Sequence, residues 1–332
     1  MSSVDIMKLI QGNVLSLKPY HVESTDCEIK LHANENPFPP SKELLKLFST
    51  SLQKLQLNRY PDPDSRALKD SIADRLGIDT KHLVIGNGSD EIILFLLQVF
   101  CQEGDTIIFP DPTFSMYSII AQGLGIKSVS ISLDSHWDFS ADVILQSAEK
   151  NNSKIIFLSY PNNPTGNCFS DTQVQKVIES FQGIVVIDEA YHDFSRKSFV
   201  NQIRKQNNLV VLRSLSKIGL AALRVGFGVA DPLVISEINK VRLPYNSNTI
   251  SQAFAEHLIT NFETVQTQID SILDERHRLL GELHKIDSVT AFPSDSNFIL
   301  FKTKQPAENL FAFLSKHGIL IRNLSSQPTL NN

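Results

Sequence analysis

The chain has 332 residues, 42% of them hydrophobic and 20% charged, and its 31 Lys and Arg against 36 Asp and Glu leave a formal net charge of −5. That composition excludes a disordered or collagen-like chain, and the negative balance argues against nucleic acid or an anionic membrane as partner. The longest apolar run, Ile92 to Phe100 broken by Gln98, is shorter than the roughly 20 residues a membrane-spanning helix needs. The first ten residues carry Asp5 and Lys8 and lack the order of a secretory leader. A cytoplasmic protein acting on a small molecule is expected. Cys27, Cys101 and Cys168 are too widely spaced for a disulfide framework or a metal clip, and the nine histidines form no zinc pattern, so reduced thiols and no metal are expected.

The length fits two domains. Residues 1–45 hold Pro19, Pro37, Pro39 and Pro40 and too few periodic apolar positions for a core, which predicts an arm packed on the C-terminal domain. Residues 46–235 alternate β-branched runs with helical-period segments. Strands are predicted at His82–Ile85, Thr106–Phe109, Ser128–Leu133, Lys154–Ser159, Ile184–Ile187 and Leu209–Leu212, and helices at Ser89–Cys101, Thr113–Gln122, Ala141–Lys150 and Asp171–Phe181. Strands that are continuously apolar suit a mostly parallel sheet covered on both faces, with the active site at its carboxyl edge. Residues 236–332 read differently: one long helix from Thr249 to about Ile286, strands at Val289–Phe292 and Asn297–Lys302, a helix over Pro306–His317 and a strand at Ile319–Ile321. This predicts a smaller α+β domain.

Four segments could carry chemistry. Gly86 to Glu91 follows a strand and opens a helix, where free N–H groups and the helix dipole favour an anion. An ordinary capped turn with Ser89 as N-cap is the alternative. A dinucleotide fingerprint would need a glycine where Glu91 stands. Pro161 to Gly166 follows another strand and can present Asn163 rigidly, or be a plain Asn-Pro turn. Asp188 and Glu189 end a buried strand and call for a cationic partner or a cap. Ser214-Leu215-Ser216-Lys217 follows the next strand, with Arg224 seven residues on. A desolvated lysine can bond an aldehyde, whereas a surface lysine is only a solvated charge. An anion cup, a lysine, a carboxylate and phenolate donors are together what pyridoxal 5′-phosphate (PLP) requires.

These segments, with Asn34 to Pro37, Arg59 to Asp62, Pro112 to Tyr117 and Asp188 to Tyr191, resemble the fold-type I, class I/II PLP-dependent aminotransferases, and within them the histidinol-phosphate branch. The resemblance implies an α/β fold with a large PLP-binding domain. It implies that Lys217 bonds the cofactor and moves the proton, that Asp188 pairs with the pyridine nitrogen, and that Asn163 and Tyr191 hold the ring oxygen while Phe114 stacks on the ring. Ser89, Asp90 through its backbone N–H, Ser214, Ser216 and Arg224 would hold the phosphate. Tyr60 would reach the partner's cofactor in a homodimer. Tyr20 and Asn36 would lie near substrate, and the family's downstream arginine strand finds no match before Asn332, which leaves Arg322 as the basic candidate. The implied reaction is transamination between L-histidinol phosphate and 2-oxoglutarate, giving imidazole acetol phosphate and glutamate. Other readings are an aromatic or broad-specificity aminotransferase, a threonine-phosphate decarboxylase, or a PLP-binding protein with weak catalysis.

Overall fold

The structure is a computed structural model that describes residues 4–19 and 26–330. Its strands are β1 (Ile29–Lys30), β2 (Leu83–Asn87), β3 (Thr106–Asp111), β4 (Lys127–Ser132), β5 (Ile155–Ser159), β6 (Ile184–Asp188), β7 (Leu209–Ser214), β8 (Val225–Ala230), β9 (Val289–Ala291), β10 (Phe301–Thr303) and β11 (Ile319–Leu320). Seven of them form one sheet in the order β2-β8-β7-β6-β5-β3-β4. All run parallel except β8, which is antiparallel to both neighbours. The fold is therefore α/β with a mostly parallel sheet.

Burial explains why these runs are strands. In β5 the residues Ile155 to Leu158 are fully buried, as are Val185 to Ile187 in β6 and Leu209 to Leu212 in β7. Branched side chains on both faces of a pleat pack against helices above and below, each contributing about 1.5–3 kcal/mol when removed from water. One apolar layer gathers Ile92, Leu96, Tyr117, Phe157 and Val186 under the Ser89–Phe100, Met116–Gly123 and Pro232–Val241 helices. The other gathers Ile156, Leu158, Val177, Ile187, Val211 and Phe254. Edge strand β4 instead alternates half-buried and exposed residues and begins with Lys127, a charge that discourages further pairing.

Two small sheets lie apart from the large one in hydrogen bonding. Parallel β1 and β11 join Ile29 to Ile319 across nearly the whole chain, and β9 and β10 form an antiparallel pair. Residues 12–16 lie against the Met116–Gly123 helix, where Asn13 Nδ2 donates to the Gly123 carbonyl at 2.8 Å.

Two expectations fail here. The long helix is two, Thr249–Thr260 and Glu263–Leu283. Asn261 leaves the helical region at φ −116° and ψ 45° and its side-chain amide donates to the His257 carbonyl at 2.8 Å. Phe262, buried beneath the Arg75 guanidinium at 3.5 Å, fixes the turn. The strand expected at Asn297–Lys302 shrinks to β10, because Asn297 and Phe298 are engaged by remote groups described below.

Candidate active site

Strands β2, β3, β5, β6 and β7 end on the same sheet edge, and β8 begins there. The structure gathers most of the singled-out residues on this edge.

At one end is the start of the Ser89–Phe100 helix, with three serines and Arg224. The Ser89–Phe100 helix is capped by Gly88 rather than Ser89; Gly88 has φ 85° and ψ 166°, a conformation glycine adopts at little cost. A Cβ there would stand 2.6 Å from Arg224 Nη2, and one on Gly226 would stand 2.4 Å from the Ser89 nitrogen. Two missing side chains thus let Arg224 and β8 close onto the helix start. Arg224 sits in the left-handed region at φ 53°, a strain on the order of 1 kcal/mol that persists where the surroundings demand it. Its guanidinium donates to Ser216 Oγ at 3.4 Å and pairs with the Asp90 carboxylate at 3.3 Å. The Ser216 N–H donates to Ser214 Oγ at 3.2 Å. Ser89, Ser214 and Ser216 are all buried.

In the middle lies Asp188, buried at the tip of β6. Its Oδ1 accepts from the Ala190 N–H at 3.1 Å and its Oδ2 from the Tyr117 hydroxyl at 2.8 Å. Burial pushes its carboxyl up to about 6, against which the Tyr117 and Ala190 donors pull it down. The next residue, Glu189, accepts from the Phe199 N–H at 2.6 Å, Ser198 Oγ at 2.8 Å, and Arg213 Nε and Nη2 at 3.1 and 3.0 Å. This buried pair belongs to the opposite face of the strand, as the alternation of a strand requires.

At the other end stand the lysine and the phenol. Lys217 Nζ donates to the Ala33 carbonyl at 3.0 Å and lies 5.6 Å from the centre of the Tyr191 ring. The Tyr191 hydroxyl accepts from Asn34 Nδ2 at 3.1 Å and from Asn163 Nδ2 at 3.4 Å. Phe298 meets the Tyr191 ring edge-on at 5.2 Å, and Asn297 Nδ2 donates to the Asn34 carbonyl at 2.9 Å. Phe114 stands edge-on to Tyr117 at 5.5 Å.

The remaining candidates are placed differently. Asn36 lies beside the Lys217 loop; its Nδ2 donates to Gln268 at 2.8 Å and its Oδ1 accepts from the Phe38 N–H at 2.9 Å. Arg322 is exposed just past β11. Tyr60 is 80% exposed and stacks on Tyr245 at 4.5 Å. Tyr20 lies outside the described residues. The sequence reading gave no role to Tyr117, Asn34, Asn297 or Phe298. Tyr117 and Asn34 fall inside quoted motifs and could have been asked for a partner; Asn297 and Phe298 carried no local signal.

The model of the family "Aminotransferase class I and II" matches residues 27–329. The chain belongs to the class I and II aminotransferases. This aminotransferase is 39% identical over 319 residues to a histidinol-phosphate aminotransferase of Aquifex aeolicus, covering 96% of this chain and 90% of that protein. It is 34% identical over 322 residues to one from Caldanaerobacter subterraneus subsp. tengcongensis, covering 97% and 91%. The fold matches that of a histidinol-phosphate aminotransferase from Sinorhizobium meliloti, solved in complex with pyridoxal 5′-phosphate, with a TM-score of 0.87, 20% identity and 96% and 91% of the two chains covered. No helix among the described residues is long and apolar enough to cross a membrane.

Proposed function

We propose that this aminotransferase uses PLP to transaminate L-histidinol phosphate with 2-oxoglutarate, yielding imidazole acetol phosphate and glutamate in histidine biosynthesis, in the cytoplasm. The reading is carried by one observation: an anion cup, a buried carboxylate, a phenol with two amide donors, and a lysine share one sheet edge. The donor set fits the cofactor. The cup suits a phosphate dianion, since it combines a helix N-terminus, hydroxyls and a guanidinium, with Gly88 and Gly226 leaving no Cβ in the way. The relatives' names support the substrate.

Each residue then has a task. When bound, PLP supplies an aldehyde and an electron-withdrawing ring. Ser89, the Asp90 N–H, Ser214, Ser216 and Arg224 hold the phosphate. Asp188, as a carboxylate, pairs with the protonated ring nitrogen. Asn163 and Tyr191 donate to the ring oxygen, and Phe114 covers the ring face. Lys217 would hold the cofactor's aldehyde carbon, and its Nζ would carry the proton at the substrate's Cα. Asn36 and Arg322 stand for the substrate's polar groups, as does Tyr20. In this reading residues 46–235 form the cofactor-binding domain, 236–332 the smaller one and 1–45 an arm.

Tyr60 reaches the partner's cofactor in a homodimer. Its exposed ring, stacked on the exposed Tyr245, supports that arrangement. Sedimentation at twice the chain mass is expected, and a monomer that is fully active would remove this role. The test of function is a panel of amines on the purified protein. Histidinol phosphate should turn over fastest, ahead of aromatic amino acids and threonine phosphate, with a visible absorption band from bound PLP. A colourless protein that ignores added PLP would refute the cofactor reading.

A further inference from the structure

Tyr117 is fully buried in the first turn of the Met116–Gly123 helix, yet it carries a hydroxyl into an apolar layer. Such a group is retained where its hydrogen bond matters, because an unpaired one is costly to bury. Its hydroxyl donates to Asp188 Oδ2 at 2.8 Å. The ring stacks on Phe157 at 4.7 Å and receives Phe114 edge-on at 5.5 Å. One residue thus touches two of the groups to which the proposed function gives direct contacts with PLP.

We propose that Tyr117 is a positioning residue of the reaction: its hydroxyl keeps Asp188 ionised and aimed, and its ring sets the plane of Phe114. The inference rests on the proposed use of PLP and goes beyond it by naming what controls the carboxylate. Among the described residues Tyr117 is the side chain that donates to Asp188; the other donor is the Ala190 N–H. Two charged groups that bear on Asp188 are Asp90, from the head of the Ser89–Phe100 helix, and Glu189. Both are acidic and favour its protonated form. Ser159, opposite Asp188 in the β5–β6 register, is already engaged, its hydroxyl donating to the Pro161 carbonyl at 3.1 Å. With burial and two acids working against ionisation, a neutral donor on Oδ2 holds the carboxylate charged at neutral pH. Without it, Asp188 takes up its proton at a higher pH and no longer holds a proton on the ring nitrogen.

The test is Tyr117→Phe, which keeps the ring and both aromatic contacts and removes one oxygen. The full-length protein, stripped of cofactor and reconstituted with PLP, is titrated between pH 5.5 and 8.5. In the wild type, affinity should hold above about pH 6 and decline below. In Tyr117→Phe that decline should move up by about one pH unit, so PLP binds about threefold more weakly at pH 6.5 and nearly tenfold more weakly at pH 5.5, while the two proteins agree at pH 8.5. In an Asp188→Asn background the same change should have no pH-dependent effect. Superimposable profiles would overturn the proposal, as would an equal loss at every pH that persists beside Asp188→Asn, which marks plain packing. Should Tyr117→Phe fail to fold, Tyr117→3-fluorotyrosine, a more acidic phenol and stronger donor, should move the decline to lower pH; no movement would overturn the proposal. A wild type that binds no PLP at any pH refutes the underlying function instead.

Discussion

Asp188 and Glu189 are neighbours in sequence, both fully or nearly fully buried, and they have opposite employments. Glu189 is saturated: four donors, two from the Arg213 guanidinium, surround it. Asp188 has one side-chain donor and one backbone donor, both neutral, and burial leaves its carboxyl raised to about 6. A carboxylate accepts about four hydrogen bonds, so Asp188 retains capacity for a cation, whereas Glu189 has already spent its own on the scaffold. In the proposed function Asp188, at the tip of β6, serves the reaction, and Glu189, the residue after it, serves the fold. On one sheet edge, burial alone does not distinguish a working acid from a structural one; the charge of its partners does.

The comparison can be broken by substitutions on the two faces. On the reaction face, Lys217→Ala should lower kcat by about 10²–10⁴-fold, the worth of a positioned proton carrier, with folding stability unchanged within about 1 kcal/mol. Steady-state kinetics beside urea denaturation read both. On the scaffold face, Glu189→Gln should leave Arg213 buried without its counter-charge and cost about 3–5 kcal/mol of stability, while the folded fraction keeps more activity than Lys217→Ala. If Glu189→Gln stays fully stable and is inactive, the division between faces is wrong. Arg224→Gln has the smallest effect: its guanidinium is half-exposed, and the loss of charge-assisted bonds worth about 1.5–3 kcal/mol should weaken PLP about 10- to 100-fold, read by titration of the stripped protein.

How much of this was legible follows from where each signal resides. Strands β5, β6 and β7 could be read because Ile155 to Leu158, Ile184 to Ile187 and Leu209 to Leu212 are apolar on both faces, a local property. Lys217, Asp188, Asn163 and Ser89 stood out because each directly follows such a strand or its turn. What stayed hidden depends on distant partners. The helix break at Asn261 is set by Phe262 packing under Arg75, and the loop of Asn297 is held by the Asn34 carbonyl 263 positions away. Tyr117 entered only as the end of the Pro112 to Tyr117 motif, and only the meeting with Asp188, 71 positions on, gives its hydroxyl a purpose. The bond from Asn36 to Gln268, 232 positions on, has no local signal either.

The Lys217 amine rests on a carbonyl 184 positions upstream, and the Tyr191 hydroxyl on an amide 157 positions upstream. Closing loops of such length is disfavoured until most of the chain is in place. A fragment missing the first 36 residues would still own its amine and its acid, yet would lack the two clasps that steady them. Vitamin uptake by a newly made chain should therefore be among the last events of its maturation, and the onset of colour would serve as a clock for its completion.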